Sequence, residues 1–394
     1  MAGRKVLVIE KEVFPRFHIG ESLLPCNQSL LRELGLVEEL ERRGFPRKHG
    51  AQFHLGNRSK LVKILFREGK FNREHQAFQV ERSVFDEILL RNAEKKGATV
   101  LEGSAVKQAR NDASGARLTV ECADGSTRTF EAEFLIDASG RGNFTGNRDA
   151  ARVNHPNLKK LSLFSHYTGV RVDDGERAGD IVIVRVKDGW FWLIPIGSEK
   201  VSVGAVLDAS AYREMGMKPD EALQKLIDDC PEMRDRMAGA SKLMPAQSTS
   251  DYSYCNRTFT GPRLFRVGDA AGFVDPIFSS GVYLAMYSGK RAAQAVDDVL
   301  RGRRSERRAL ADYEKTIQGA ISFYRDMVER YYTTPFMEVL LEPRKDFFAL
   351  VDAVNGALAG QFTESWSIRW RMRLFYRLVK LQAKRPILPR ISFD

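Results

Sequence analysis

Residues 268–281 read GDAAGFVDPIFSSG, and this stretch decides the fold prediction. A short strand is predicted at residues 264–267, just before it, and a helical pattern follows from Val282. This strand–loop–helix order places Asp269 at a strand end, where a carboxylate can accept hydrogen bonds from ligand hydroxyls. The small residues let the backbone approach a flat ring. Ser-Ser-Gly at the helix start offers N–H groups and the positive end of a dipole to an anion. A glycine-rich turn without a ligand is the alternative.

Upstream, the chain has the pattern of an α/β protein. Residues 5–10 (KVLVIE) predict a buried parallel strand that ends in an acid, Glu10. Such an acid can bind ribose hydroxyls, although acids also follow buried strands without that role. Helices are predicted over residues 30–40 and 82–96, a strand at 77–80, and a hairpin around Ala-Asp-Gly at 123–125. Together these segments predict a dinucleotide-binding fold.

The middle of the chain has a different pattern. Apolar residues either alternate with other residues or follow one another directly in three segments, 180–186, 190–196 and 201–206. This pattern predicts an antiparallel sheet. Beyond residue 300 the pattern is helical. We therefore expect three regions: a discontinuous dinucleotide-binding domain (1–45, 77–150 and 255–300), a substrate domain (46–76 and 151–254), and a helical C-terminal region (301–394).

Five segments carry a family resemblance. They are FPRFHIGESLLP (14–25), QVERSVFDEILL (79–90), DASGR (137–141), WFWLIP (190–195) and the glycine-rich stretch 268–281. Together they resemble flavin-dependent halogenases of the tryptophan-halogenase family, especially members that act on phenols or pyrroles. That family lies within the FAD monooxygenases of hydroxybenzoate-hydroxylase-like fold. The resemblance implies an FAD-binding dinucleotide fold with an inserted antiparallel substrate domain.

The resemblance also implies roles for individual residues. Trp190 and Trp192 match the family's Trp-x-Trp-x-Ile-Pro signature, whose indoles are thought to separate the flavin from the substrate. A Trp pair that merely fills one face of a sheet is the alternative. Ser280 and Gly281 match the pair whose backbone amides hold the halide. The implied FAD-binding residues are Glu10, Arg82, Asp269, Pro276 and Gly281.

Lys48, within FPRKHGA (45–51), occupies the position of the family's catalytic lysine. A lysine amine can hydrogen-bond hypohalous acid or form a chloramine, and burial would lower its pKa toward neutrality. Taken alone, Arg47, Lys48 and His49 also fit a solvated basic turn. The resemblance therefore carries the catalytic interpretation.

The implied reaction uses reduced FAD from a separate flavin reductase, dioxygen, and chloride or bromide. It would halogenate a small electron-rich aromatic substrate, either free or tethered to a carrier protein. Phe278 stands where tryptophan-acting members carry a glutamate, which points away from free tryptophan. Two alternatives remain. One is an FAD monooxygenase (hydroxylase) or alkene reductase of the same fold, and the other is a cofactor-less remnant that binds an acidic partner.

The N-terminus departs from the family pattern. The family opens with a strand and a Gly-x-Gly-x-x-Gly turn that binds the FAD pyrophosphate. No such turn precedes Arg4, and residues 140–145 (GRGNFT) lack the third glycine. From the usual spacing we expect roughly 25–30 further residues upstream, omitted through a misplaced start codon. We expect the 394-residue chain to bind FAD poorly.

Composition excludes several classes. With 43% hydrophobic and 29% charged residues, the chain is not a disordered protein. No apolar run approaches the ~20 residues of a membrane span. Four cysteines without a Cys-x-x-Cys pair indicate a cytoplasmic setting. The six histidines lack ligand spacing, so no metal site is expected, and no Gly-x-Ser-x-Gly elbow is present.

Positive charge is concentrated near the C-terminus. The net charge is +11, and residues 366–390 hold eight basic residues and no acid, interleaved with aromatic residues. This pattern fits a membrane-surface helix, a docking surface for an acidic partner, or a solvated face over a packed one. No nucleic-acid-binding module accompanies it, so nucleic acid is not an expected partner.

Overall fold

The structure is a computed structural model that describes residues 3–250, 252–342, 347–361 and 365–393. Its helices are α1 Asn27–Leu34, α2 Val37–Arg42, α3 Arg82–Lys95, α4 Phe144–Arg148, α5 Ala209–Met215, α6 Pro219–Asp229, α7 Pro231–Met237, α8 Ser280–Leu300, α9 Glu306–Tyr331, α10 Thr334–Leu340, α11 Leu350–Ala359 and α12 Trp366–Lys384. Its strands are β1 Leu7–Ile9, β2 Arg47–Lys48, β3 Gly50–Leu55, β4 Leu61–Leu65, β5 Ala77–Phe78, β6 Thr99–Leu101, β7 Ala105–Asp112, β8 Gly115–Glu121, β9 Thr127–Ala132, β10 Leu135–Asp137, β11 Arg152–Asn154, β12 Lys160–Thr168, β13 Ile181–Val186, β14 Gly189–Pro195, β15 Val201–Asp208, β16 Ser241–Lys242, β17 Gln247–Ser250, β18 Tyr254–Asn256, β19 Thr260–Gly261, β20 Leu264–Arg266 and β21 Gly272–Phe273.

The segments predicted to form the dinucleotide-binding domain, called the dinucleotide half from here on, contain two parallel strand pairs. β1 pairs with β6, and β10 pairs with β20, whose chain continues through the glycine-rich loop into α8. In the described residues no ladder joins one pair to the other. The apolar side chains of Val6, Leu7 and Ile136 are 50%, 37% and 39% exposed. The α/β character is confirmed, and this half leaves apolar strand residues uncovered.

The largest sheet has eight strands. Its order is β16-β12-β15-β14-β13-β3-β4, with β17 also paired to β12. All neighbours are antiparallel except β13 and β3, which run parallel. The predicted antiparallel insertion is thus corrected in one respect. Segment 50–55 comes from far upstream and enters beside β13 in the same direction, so the sheet is mixed.

Strand β14 shows why this sheet is buried on both faces. Successive side chains of a strand point to opposite faces. Trp190, Trp192 and Ile194 join the main hydrophobic core, whereas Phe191 and Leu193 pack with the opposite cluster, which includes α6 residues. A strand packed on both sides must be apolar at every position, which explains the unbroken run.

Three local expectations are corrected. The helix predicted over residues 30–40 is two helices, because Gly35 adopts a left-handed conformation (φ 74°) that ends α1. Helix α8 begins at Ser280 rather than Val282. Helices α5 to α7 follow β15 within the substrate domain, which was expected to be an antiparallel sheet.

The C-terminal region is helical, as predicted. Phe336 of α10 packs edge-on against Phe375 of α12, with ring centroids 5.5 Å apart. The Asn355 side chain of α11 donates to the Leu65 carbonyl at 2.7 Å, which ties the helices to the large sheet. Among the described residues, no helix is long and apolar enough to cross a membrane.

Candidate active site

A cavity of about 370 Å³ lies between the large sheet and the dinucleotide half. Its lining includes a loop around residues 16–22, the strand bearing the two tryptophans, and the glycine-rich loop with the start of α8. The predicted site residues among its lining are Arg82, Trp190, Trp192, Asp269, Pro276 and Gly281. The structure thus brings six of the nine predicted residues to one cavity.

The glycine-rich loop forms one wall. Burial raises the pKa of Asp269 to about 6, although Arg82 and Arg141 act in the opposite direction. Ser280 is the first residue of α8 and is 6% exposed. The first N–H groups of a helix have no intrahelical partner, so the amides of Ser280 and Gly281 lie where a small anion can be bound.

Arg82 holds in place the loop around residues 16–22, which is called the entrance loop from here on. Its Nε and Nη2 donate to the Asp86 carboxylate at 2.7 and 2.9 Å, and its Nη1 donates to the carbonyls of Ile19 and Gly20. A Cβ on Gly20, whose φ is 104°, would lie 3.0 Å from that nitrogen. The requirement for glycine therefore comes from both the backbone angle and the close approach of Arg82.

Glu10 lies apart from this cavity. It directly follows β1, and its carboxylate accepts a hydrogen bond from the backbone N–H of Glu12 at 2.9 Å. It is absent from the cavity lining. Its implied role in ribose binding stays a prediction.

The two tryptophans are fixed by hydrogen bonds and packing. Trp190 Nε1 donates to the Tyr332 hydroxyl at 3.0 Å, and Trp192 Nε1 donates to Ser202 Oγ at 3.1 Å. Their rings lie 5.8 Å apart, tilted by 48°. A Cβ on Gly204 would come within 2.3 Å of the Trp192 ring, so only glycine fits opposite it. The pair does fill a sheet face, and the same rings also line the cavity.

Lys48 is buried rather than solvated. Its side chain is 2% exposed, and Nζ donates to Ser22 Oγ at 2.9 Å and to the Leu23 carbonyl at 3.1 Å. Burial lowers its pKa to about 7, although the Asp180 carboxylate acts in the opposite direction. Lys48 does not itself line the cavity, but its partner Ser22 does. The solvated-turn interpretation is wrong for Lys48.

Two further groups were missed by sequence reasoning. Glu21 lines the cavity, and its Oε1 lies 2.6 Å from His166 Nε2. Asp275, whose pKa burial raises to about 6, accepts a hydrogen bond from Tyr332 at 2.8 Å. Glu21 stood in a quoted motif and Asp275 in the glycine-rich stretch, but their partners lie more than 50 residues away along the chain.

The cavity's chemistry fits an isoalloxazine ring. Flanking apolar and aromatic side chains suit a flat heterocycle, and Gly268 and Gly281 leave room for close backbone approach. Glu21 Oε2 is buried without a hydrogen-bond partner and can accept from a ring N–H. No cluster of potential metal ligands occurs in the described part of the chain.

Comparison with known proteins agrees with this geometry. The family model described as tryptophan halogenase matches residues 56–338. The chain belongs to the tryptophan halogenase family. Its predicted class, flavin-dependent halogenase, is confirmed at this level, and FAD is the cofactor of that class.

Two relatives and one solved structure illustrate the match. A tryptophan 2-halogenase of Chondromyces crocatus is 33% identical over 84% of this chain and 63% of its own length. A 1H-pyrrole-2-carbonyl-[peptidyl-carrier protein] brominase of Pseudoalteromonas luteoviolacea is 34% identical over 76% of this chain and 73% of its own. The flavin-dependent brominase Bmp2 is 28% identical with a TM-score of 0.86, covering 98% of this chain and 94% of that one. The chain thus spans less than two thirds of the first relative.

Proposed function

We propose that this chain halogenates an electron-rich aromatic ring, with reduced FAD delivered by a separate flavin reductase. The observation that carries the proposal is Lys48, a buried lysine with a pKa near 7 whose partner Ser22 lines the tryptophan-walled cavity. A neutral amine in that position can accept a proton or hold a polar oxidant at neutral pH. A solvated lysine is charged at that pH and has no lone pair with which to accept a proton.

When bound, reduced FAD with dioxygen would supply the two-electron oxidation that converts chloride or bromide to hypohalous acid. Asp269, Pro276 and Gly281 would hold the cofactor, and Arg82 would keep the entrance loop in place. The amides of Ser280 and Gly281, at the N-terminus of the 21-residue helix α8, would hold the halide.

The tryptophan wall, formed by Trp190 and Trp192, would separate the flavin from the aromatic substrate. Trp190 and Trp192 are held at their indole nitrogens by Tyr332 and Ser202, so the rings cannot rotate freely. Lys48 would hold hypohalous acid by a hydrogen bond and direct it at the aromatic carbon. The ring carbon gains the halogen and loses a proton, and the oxidant's oxygen leaves as water.

The direct test is product mass. The protein is incubated with reduced FAD, bromide and three probes: a pyrrole-2-carbonyl thioester on a peptidyl carrier domain, a free phenol, and L-tryptophan. Halogenation is expected on a pyrrole or phenol, because Phe278 replaces the family's glutamate. A product that gains oxygen or hydrogen instead would favour the monooxygenase or alkene reductase of the same fold. If the protein has FAD bound and air is present, and still no probe yields a product, the halogenase proposal fails.

We further propose that the dinucleotide half accepts one more strand, between β1 and β10. The support is that these strands belong to separate parallel pairs and that Val6, Leu7 and Ile136 remain exposed. This agrees with the three proposed regions and with FAD pyrophosphate binding on a glycine-rich turn. Glu10, which follows β1, would then bind the adenosine ribose. The test compares the FAD content of this chain with that of a version extended at its N-terminus by a strand and glycine-rich turn of a family member. Equal, stoichiometric FAD in both would contradict the proposal.

A substrate tethered to an acidic carrier protein is the partner that the charge favours. Arg369, Arg373, Arg377, Lys380 and Lys384 form an exposed basic stripe along α12. The buried face of the same helix packs into the core through Ile368, Met372, Phe375 and Val379. The stripe therefore faces outward, with no acid on its own helix to neutralise it.

A cytoplasmic setting agrees with the low cysteine content.

Charge reversal tests the stripe. Glutamate at Arg373, Arg377 and Lys380 should weaken binding of the loaded carrier domain and reduce its dependence on salt. Glutamate at the exposed residues Lys107, Arg117 and Arg128 of the β7–β9 sheet is the matched control and should have little effect. Equal effects of both sets, or binding only to anionic lipid vesicles, would contradict carrier docking.

A further inference from the structure

Glu21 is a buried carboxylate in the entrance loop of the cavity. Its side chain is 1% exposed, and both neighbours, Gly20 and Ser22, line the cavity with it. Ser22 is also the hydrogen-bond partner of Lys48. Glu21 therefore lies at the junction of the proposed flavin site and the proposed lysine site, although the proposed mechanism gives it no role.

The backbone around Glu21 is held on both sides. Arg82 donates to the carbonyls of Ile19 and Gly20, and the Val80 N–H donates to the Glu21 carbonyl at 2.7 Å. The Leu23 N–H donates to the Phe78 carbonyl at 3.1 Å. The carboxylate is thus fixed in place before any ligand arrives, as precise recognition requires.

His166 holds one oxygen of this carboxylate. It lies on β12, is 6% exposed, and contacts Phe17 with ring centroids 5.7 Å apart. Its Nε2 lies 2.6 Å from Glu21 Oε1, whereas Glu21 Oε2 has no partner. Buried polar atoms are nearly always hydrogen-bonded, and an unpaired carboxylate oxygen is an unusual exception. A donor on a bound ligand would account for it.

We propose that Glu21, positioned by His166, accepts a hydrogen bond from the N–H that the isoalloxazine ring gains at N5 on reduction. The inference rests on the proposed function. In oxidised flavin N5 carries only a lone pair, which a carboxylate oxygen repels, whereas in reduced flavin the same atom is a donor. Glu21 would therefore make the cavity bind reduced FAD more tightly than oxidised FAD. A protein supplied by a separate reductase needs that preference to capture the reduced form.

The preference is measurable without turnover. A difference in affinity between two redox forms must appear as an equal shift in the potential of the bound flavin. For a two-electron couple, each tenfold preference for the reduced form raises the potential by about 30 mV. The ratio of the dissociation constants for oxidised FAD and for FAD reduced without oxygen, and the bound midpoint potential, thus give two readouts that must agree.

The variants are Glu21→Gln, Glu21→Met and, as control, Glu199→Gln at an exposed glutamate outside the cavity. Thermal denaturation first checks that each is folded. Glu21→Met, which has no oxygen acceptor, should reduce the preference for reduced FAD at least tenfold and lower the bound potential by about 30 mV or more. Glu21→Gln, a neutral acceptor, should lie between it and the wild type. The control should match the wild type.

The sign of the shift decides between two roles. If Glu21 acted only as a negative charge that disfavours anionic reduced flavin, its removal would raise the potential, and the inference is overturned. Equal weakening of both redox forms would assign Glu21 to an N–H present in both and would also overturn it. If neither the wild type nor the N-terminally extended version binds either form, the proposed function fails together with the inference. Normal binding with an unchanged ratio refutes the inference alone.

Discussion

The two halves that enclose the cavity differ in how fully their strands are paired and their apolar side chains are covered. On the substrate side, an eight-stranded sheet is buried on both faces and its two indoles are held by hydrogen bonds, as is Lys48 on the separate strand β2. On the dinucleotide side, two parallel pairs share no ladder among the described residues and leave Ile136 39% exposed. The contrast is that the wall carrying the two indoles is paired and packed, whereas the β1–β6 and β10–β20 pairs leave apolar side chains exposed.

Replacing Lys48 with alanine is the most severe test of the substrate half. Because a positioned acid or base contributes about 10²–10⁴-fold, we expect product formation to fall by that factor while oxidation of reduced flavin continues. Product mass spectrometry and flavin absorbance measure the two rates. Lys225→Ala, at an exposed lysine paired with Asp229, is the control. Native halogenation by Lys48→Ala would remove the lysine from the mechanism.

Gly204→Ala tests how tightly the tryptophan wall is packed. The new methyl group would overlap the Trp192 ring, so we expect a loss of about 1–3 kcal/mol in the free energy of unfolding. Gly197→Ala is the matched control, since the nearest atom to its Cβ would be 3.7 Å away. Chemical denaturation measures both, and tryptophan fluorescence reports the wall. Similar stability of the two variants would show that the indole can move aside.

Adjacent tyrosines provide a second matched pair. Tyr332→Phe would leave the buried Trp190 N–H and Asp275 carboxylate without this partner, at a cost of about 1–3 kcal/mol. The Tyr331 hydroxyl is buried without a partner, so Tyr331→Phe should be neutral or slightly stabilising. Thermal and urea denaturation distinguish them. The reverse order of stabilities would contradict the hydrogen-bond assignment.

Lys48 also predicts a pH dependence. Its pKa is about 7 when folded and 10.5 when unfolded, so between these values the unfolded chain binds more protons. The stability of the wild type relative to Lys48→Met should therefore rise with pH from about 7 to 10.5, by at most about 1.4 kcal/mol per pH unit. Below pH 7 the difference should be constant. Urea denaturation across pH measures it, and a flat difference throughout would mean that Lys48 stays charged in the fold.

The smallest effect tests the contrast itself. Ile136→Thr on β10 should change stability by no more than about 0.5 kcal/mol, because its side chain is largely exposed. Ile183→Thr on β13, 2% exposed, should cost about 1–3 kcal/mol for its buried hydroxyl. Urea denaturation compares the two. Equal losses of stability would show that Ile136 and Ile183 are equally well packed, and would contradict the contrast between the two halves.

Local patterns predicted most of the elements and the cavity wall. The glycine-rich loop and the tryptophan strand are each one continuous stretch of sequence, so the wall residues within each stretch could be recognised together. The parallel pairing of β3 with β13 could not be predicted, because strand direction in a sheet depends on partners distant in sequence. The split at Gly35 was missed because the apolar spacing continues across it.

The site was less predictable wherever two distant residues act on each other. Lys48 alone fitted a solvated turn, and its burial arises from Ser22 and Leu23, about 25 residues away. The Glu21–His166 pair spans 145 positions. A single sequence offers no signal that pairs such residues, whereas packing of the entrance loop against β12 does so directly.

The lining of the cavity has a consequence for durability. Methionine and cysteine are the side chains that oxidants attack and convert to sulfoxides and sulfenic acids. Among the described residues that line the cavity there is neither, although Met286 lies close by, where its sulfur accepts a hydrogen bond from Asn27. If the protein forms hypohalous acid as proposed, oxidant that escapes into the cavity meets no thiol or thioether on its lining. Sulfur is thus kept away from the surface where the oxidant would form.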